Sequence, residues 1–230
     1  CYQYKYDYRN RLVEKKLPGK QWEFIIYDKL DRVVATGPTN SPFSDITIQG
    51  WMVTKYDSFN RVVYTGWFEV NSFSNDSRIQ FQTTYNNNHN LNEVRTNGNT
   101  VDNISLNYSN VVWPSDIHLL SINYYDDYNF PSHNEVTGDV FGAAIIDNTK
   151  GLATGNWIRI PTTSSEHMND VSTTTYDYKG RAVAVNKTNY LGGYTNTKTL
   201  YNFIGQVIRT LTEHVKDDSY DPLTIKEDFH

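Results

Sequence analysis

Short runs of β-forming residues recur along the chain, and a turn signal closes each one. Phe24-Ile25-Ile26-Tyr27 and Thr173-Thr174-Thr175-Tyr176 are two such runs. Each is followed, after a few polar residues, by a second strand-like run. Examples are Arg32-Val33-Val34-Ala35-Thr36 and Arg181-Ala182-Val183-Ala184-Val185. The pattern predicts β-hairpins. Ile104-Ser105-Leu106-Asn107-Tyr108 alternates apolar and polar residues and predicts a half-buried strand. Residues 118–124 and 156–160 predict two more. Residues 77–85 are compatible with a short helix or a strand, because their length does not decide between them. The polar tract 86–90 predicts a loop tip, and residues 148–155 a turn-rich connection.

The turn signals are copies of one motif, Tyr-Asp-x-x-(Gly/Asn/Asp)-Arg. Four copies are clear: Tyr6, Asp7, Asn10, Arg11; Tyr27, Asp28, Asp31, Arg32; Tyr56, Asp57, Asn60, Arg61; and Tyr176, Asp177, Gly180, Arg181. Two weaker copies are Tyr125, Asp126, Asn129 and Tyr201, Asn202, Gly205. Hairpin physics accounts for each position. Asp or Asn at the first turn position can bond the backbone two residues on. Gly, Asn or Asp three residues later tolerates the positive φ that a type I turn with a G1 bulge requires. Arginine then opens the second strand, where a cross-strand contact to Asp or Tyr adds ~0.2–1 kcal/mol. The motif tyrosines are 21, 29, 69, 51 and 25 residues apart. That irregular period excludes a propeller or a regular solenoid.

Composition narrows the function classes. A formal charge of −5 gives no basic footprint for nucleic acid. Aromatics at 14%, including 18 tyrosines, argue against disorder. No run of ~18 apolar residues is present to cross a membrane, and no basic-then-apolar leader opens the chain. The single cysteine, Cys1, rules out intramolecular disulfides and cysteine-rich zinc sites. Cys1 directly precedes a strand-like run with no initiating methionine, which reads as a piece of a longer chain.

The motif resembles the RHS/YD-repeat family, and most closely the large YD-repeat proteins of Bacteroidetes-type bacteria. Pro18-Gly19, the stretch 123–131 and Leu191-Gly192-Gly193 add to the likeness, which runs from Tyr2 to about His214. The resemblance implies hairpins wound into a continuous sheet around a hollow shell. In some relatives the shell encloses a toxic C-terminal domain, and others are surface proteins of adhesion or contact-dependent competition. No stretch matches the autoproteolytic segment of the toxin-type relatives, so no catalytic residue is carried over. Six motifs imply a curved section of wall rather than a closed vessel.

The fold expected is therefore all-β: consecutive antiparallel hairpins in a twisted, curved sheet. Residues 1–67 and 121–214 are expected to be repeat hairpins. Residues 68–120 are expected to be an insertion between repeats, mostly strands and loops, and 215–230 a charged linker to the next repeat. The expected role is structural, in a secreted or cell-surface protein. Its partners are neighbouring repeats, together with an encapsulated effector domain or surface glycans. Nucleic-acid binding and membrane insertion of this segment are not expected.

Candidate chemistry is sparse. Histidines stand at 89, 118, 133, 167, 214 and 230, with no zinc-protease spacing. Asp116-Ile117-His118 puts two polar side chains on one strand face and reads as a surface pair. Asp126-Asp127 near Asn129 is too thin for a calcium loop. Gly-x-Ser-x-Gly, phosphate-loop and dinucleotide motifs are absent from the sequence. No catalytic residue, metal ligand or cofactor is assigned, and an enzyme is not expected. The alternative reading is a carbohydrate-binding or adhesion module, with Trp51, Trp67, Trp113 and Trp157 as an exposed sugar-stacking set.

Overall fold

The computed structural model describes residues 1–134, 136 and 140–229. The chain is all-β, as the pattern predicts. It forms one 13-stranded sheet of consecutive hairpins that does not close into a barrel, and a separate two-stranded hairpin. The chain divides into two compact units, 1–120 with 161–167, and 121–160 with 168–230.

The first unit opens with three hairpins. They are β1 (Gln3–Tyr6) with β2 (Leu12–Lys16), β3 (Trp22–Tyr27) with β4 (Val33–Asn40), and β5 (Gln49–Tyr56) with β6 (Val62–Glu69). All neighbours pair antiparallel in chain order. A helix α1 (Asn75–Asn87) follows, then the hairpin β7 (Arg95–Val101) and β8 (Ile104–Tyr108). Residues 77–85, open in the sequence, are thus helical. Ser74 closes the helix N-terminus in a capping box with Ser77. The insertion thus combines a helix with strands and loops, and it belongs to the same compact unit as the first three hairpins.

The core of this unit lies on both faces of β5 and β6. Trp51, Val53 and Lys55 share one face of β5 and pair across with Phe68, Gly66 and Tyr64. On this face Trp51 meets Phe81 of α1 at 4.8 Å and Phe73 at 4.9 Å between ring centres. Trp67 lies on the opposite face against Phe43 and His118, at 6.3 and 5.9 Å. Gly50 allows that packing, since a Cβ there would lie 2.4 Å from the Trp67 ring.

The second unit contains most of β9 (His118–Asp126), then β10 (Thr149–Arg159), β11 (Asn169–Tyr176), β12 (Ala182–Thr188), β13 (Gly192–Tyr201), β14 (Val207–Asp217) and β15 (Leu223–Asp228). Tyr124 and Phe130 stack at 4.4 Å, and Gly155 leaves room for the Phe130 ring. Residues 215–229 carry the end of β14 and all of β15. β14 runs through Asp217, and β15 pairs with it from His214 to Arg209. His230 lies outside the described residues.

Five copies of the motif, four with Tyr-Asp and one with Tyr201-Asn202, form hairpins of one geometry. In each, the register slips at the tyrosine, which faces the residue after the arginine position: Leu12, Val33, Val62, Ala182 or Val207. The residue expected at positive φ has it: Asn10 at 59°, Asp31 at 63°, Asn60 at 62°, Gly180 at 71° and Gly205 at 92°. The copy expected at Tyr125, Asp126 and Asn129 does not have this geometry. The left-handed residue there is Asp126 itself, at 75°. β9 ends on it, and its partner β10 begins only at Thr149. The side-chain turn belongs instead to Asp127, whose Oδ1 accepts the Asn129 N–H at 2.9 Å. A doubled aspartate gave the turn two possible starts, and the second one was used.

A Cβ at Gly180 would meet nothing within 4 Å, so substitution there strains the backbone alone. Gly180→Val should lower stability by about 1–2 kcal/mol in chemical denaturation. Gly180→Asn should cost much less, because Asn10 and Asn60 hold the same place natively. Equal midpoints for Val and wild type would contradict the turn assignment.

Candidate functional site

Each turn is organised by one side chain. Asp7 Oδ1 accepts the N–H groups of Arg9 and Arg11 at 2.9 and 3.0 Å, while Oδ2 accepts Arg11 Nε at 2.7 Å. Asp28, Asp57 and Asp177 repeat the arrangement, each with arginine Nε at 2.7 Å. Asn202 makes the same two backbone bonds, and its Nδ2 donates to Gln206 in place of the ion pair. The sequence reading placed the arginine contact across the strands. The structure adds a reach to the next hairpin.

Arg11 lies 4.6 Å from the Tyr27 ring centre, Arg32 4.7 Å from Tyr56, and Arg181 4.8 Å from Tyr201. These arginines also donate to the next turn's first carbonyl, at Asp28, Asp57 and Asn202. In return, the next tyrosine hydroxyl donates to a backbone carbonyl of the preceding strand. Tyr27 reaches Leu12 at 3.0 Å, Tyr56 reaches Val33 at 2.8 Å, and Tyr201 reaches Ala182 at 3.0 Å. Tyr176 does the same to Ala153 at 2.6 Å. Burial raises the pKa of the Tyr27, Tyr56 and Tyr176 hydroxyls, so they remain donors. The motif is therefore a lock between hairpins as well as a turn. Arg61 also lies over the Phe59 ring, at 5.0 Å.

Two turns of the same kind escaped the sequence reading. Asn189 Oδ1 accepts from Leu191 and Gly193, with Gly192 at φ 88°. Asp217 Oδ1 accepts from Ser219 N at 2.9 Å. Neither has the tyrosine or arginine of the motif. An Asx residue followed by a small or polar pair was the signal available.

The insertion docks on these locks. Gln82 of α1 bonds both backbone groups of Tyr27, at 3.1 and 2.7 Å. Arg78 pairs with buried Glu14, and Arg32 reaches Asn92 Oδ1 and the Leu91 carbonyl. Beside them Lys55 and Glu93 are both fully buried, with Nζ 3.2 Å from Oε1. Lys55 also donates to Asn110 Oδ1 and the Val112 carbonyl, each at 2.6 Å. Glu93 accepts from Ser109 Oγ at 2.5 Å and from the N–H groups of Val111 and Val112 at 3.0 Å. Burial lowers the Lys55 pKa to about 8, against the raising effect of Glu93. Sequence reasoning missed this cluster entirely.

The tryptophans expected as a sugar platform are not on the surface. Trp51, Trp67 and Trp157 are buried, and half-buried Trp113 leans on Phe81 at 4.6 Å. Trp51, Trp67 and Trp113 pack against other rings, which a chain reading has no means to assign. Asp116 is exposed, whereas half-buried His118 turns to Asp102, with Nδ1 3.5 Å from Oδ1. The two thus do not pair with each other alone. Among the described residues no three His, Cys, Asp or Glu side chains are grouped to hold a metal ion. Nor, among the described residues, is any helix long and apolar enough to cross a membrane.

The lock is testable by substitution and by pH. Tyr201→Phe keeps the ring and removes the bond to Ala182, and should cost about 0.5–1.5 kcal/mol. Burial pushes the Asp177 carboxyl up, but hydrogen bonds from the Arg181 side chain and from the N–H groups of Arg181 and Lys179 outweigh it, leaving the pKa lowered. A carboxyl depressed on folding contributes stability above its unfolded value, ~3.9, and loses it as pH falls through the folded value. Denaturation midpoints should therefore drop in acid for wild type, and drop less for Asp177→Asn. Equal acid sensitivity would show that the ion pair does not contribute. No protein-family model matches the chain, and no curated protein matches it in sequence.

Proposed function

We propose that the chain is a scaffold: a wall segment of a large secreted or surface YD-repeat protein, part of a shell that encloses or presents a C-terminal effector. The observation that carries this reading is the lock itself, by which a turn residue of one hairpin holds the tyrosine and the turn carbonyl of the next. Such a device serves continuity along a sheet. It uses the polar side chains of the motif for cohesion. The partners implied are neighbouring repeats and the effector. Burial of Trp51, Trp67 and Trp157 removes the main support for sugar binding.

Native-state hydrogen exchange tests the scaffold reading. Arg181→Lys loses the planar fork that serves Asp177 and Asn202 together. Faster exchange is expected in β13 and β14 as well as in the substituted turn. Exchange that quickens only at residues 177–181 would overturn the coupling. The chain should be silent on a glycan array, and saturable binding there would put adhesion in place of the wall. Proteolytic shaving of intact producing cells should release peptides of this segment, and their absence would remove the surface location.

A further inference from the structure

The buried cluster around Lys55 contains the parts of an amide-forming reaction. Lys55 Nζ lies 2.6 Å from Asn110 Oδ1. A C=O bond is ~1.23 Å, so the carboxamide carbon stands no more than about 3.8 Å from the amine. That is close to the ~3–3.5 Å separation of reacting atoms poised for attack. Glu93 is within hydrogen-bond reach of the same Nζ, at 3.2 Å. Lys55 and Glu93 are both sealed from solvent.

We propose that Lys55 and Asn110 become joined by an isopeptide bond, formed by the chain itself with Glu93 as proton carrier. The lone pair of Nζ attacks Cγ of Asn110, forming the Nζ–Cγ bond. The Cγ–Nδ2 bond breaks. Lys55 starts as an ammonium and ends as an amide nitrogen with one hydrogen, so it gives up two protons. Glu93 carries them in turn to the departing amide nitrogen, which leaves as ammonium ion, and Glu93 finishes as the carboxylate it was. No oxidant, reductant or cofactor enters the balance.

The surroundings suit each step. Desolvation brings the Lys55 ammonium down to about 8, so about one molecule in ten holds a free amine at pH 7. The Tyr64 hydroxyl donates to the Ser109 carbonyl at 2.8 Å and lies 3.2 Å from Asn110 Oδ1, so a rotation of its O–H brings the proton to the oxygen where negative charge develops during attack. Burial keeps that hydroxyl protonated by raising its pKa. Asn110 Nδ2 bonds the Ser115 carbonyl at 2.8 Å at an exposed position, so the leaving nitrogen departs on the solvent side. Three donors other than Lys55 hold the Glu93 carboxylate in place. The bond would tie β5 of the sheet to the segment after β8, across 54 intervening residues. It does not depend on the scaffold reading.

Intact mass of the folded full chain decides the matter. Wild type should be about 17 Da lighter than its sequence, the mass of one ammonia. A tryptic digest should yield one branched peptide containing Lys55 and Asn110. Lys55→Arg and Glu93→Gln should restore the full mass. Asn110→Asp should lose about 18 Da instead, because water leaves where ammonia did. A folded wild-type chain at its unmodified mass would overturn the proposal, with no variant needed. So would a 17 Da loss that persists in Lys55→Arg, since succinimide at Asn97-Gly98 gives that loss without Lys55.

Discussion

One carboxylate at the head of each of four turns, Asp7, Asp28, Asp57 or Asp177, carries the sheet. Its two oxygens do different work. Oδ1 takes two backbone N–H groups that a tight turn would otherwise leave unpaired, as at Asp28 with Leu30 and Arg32. Oδ2 fixes the arginine Nε, and that fixes the direction of the whole guanidinium. A guanidinium is planar with five donors in a rigid fork. Holding one edge on Asp28 therefore aims the other at Asp57 O, Asn60 Oδ1 and the Tyr56 ring. The aspartate thus sets both the turn and the link to the next hairpin. Lysine in the arginine position would satisfy the carboxylate and lose the aim.

Repetition turns a modest interaction into an architectural one. Side-chain hydrogen bonds of this kind contribute about 1 kcal/mol each. Arg32 and Asp28 are largely buried, so solvent screens them less than an ordinary surface pair. The locks also resist the error to which sheets are most prone. A one-residue slip turns every side chain to the wrong face. Here a slip would take the tyrosine hydroxyl from its carbonyl and the arginine from its ring together. Where the succession of hairpins is interrupted after β6, the insertion uses the same anchors, through Arg32 to Leu91 and Asn92 and through Glu93 N to Tyr56 O.

The turn was legible in the chain because all its determinants are local. Asp, the left-handed residue and Arg sit within five positions, and each has a stereochemical reason to be there. The link between hairpins was not legible, because Tyr56 meets Val33 and Arg32 across more than twenty residues. Asn189 shows that the Asx turn does not need the rest of the motif, and Asp126 shows that a Tyr-Asp pair alone does not make the hairpin. The tryptophans misled for a related reason. An aromatic residue on a strand is compatible with either face, and only the helix α1 and the Phe43 loop decide which face is covered. The helix was ambiguous because its apolar residues are few, with Phe81 and Tyr85 the two it buries. Lys55, Glu93 and Asn110 lie 38 and 17 residues apart along the chain. Only the fold brings them together.

Energetics make that last cluster the unusual feature of the chain. Removing two charges from water costs several kcal/mol per ion, and mutual attraction rarely returns a large surplus. Apolar residues of similar volume would hold the insertion to β5 at least as well. The core around them is already aromatic, with Trp51, Phe81 and Tyr85 filling the same face. Lys55 and Glu93 are moreover supported by Ser109, Asn110, Tyr64 and two backbone N–H groups, which is more positioning than adhesion requires. Oriented groups, a desolvated amine and an acceptor carbonyl are what bond formation requires. Once formed, a neutral amide would remove the Lys55 charge and leave the Glu93 carboxylate, which Ser109 and the N–H groups of Val111 and Val112 hold independently of Lys55.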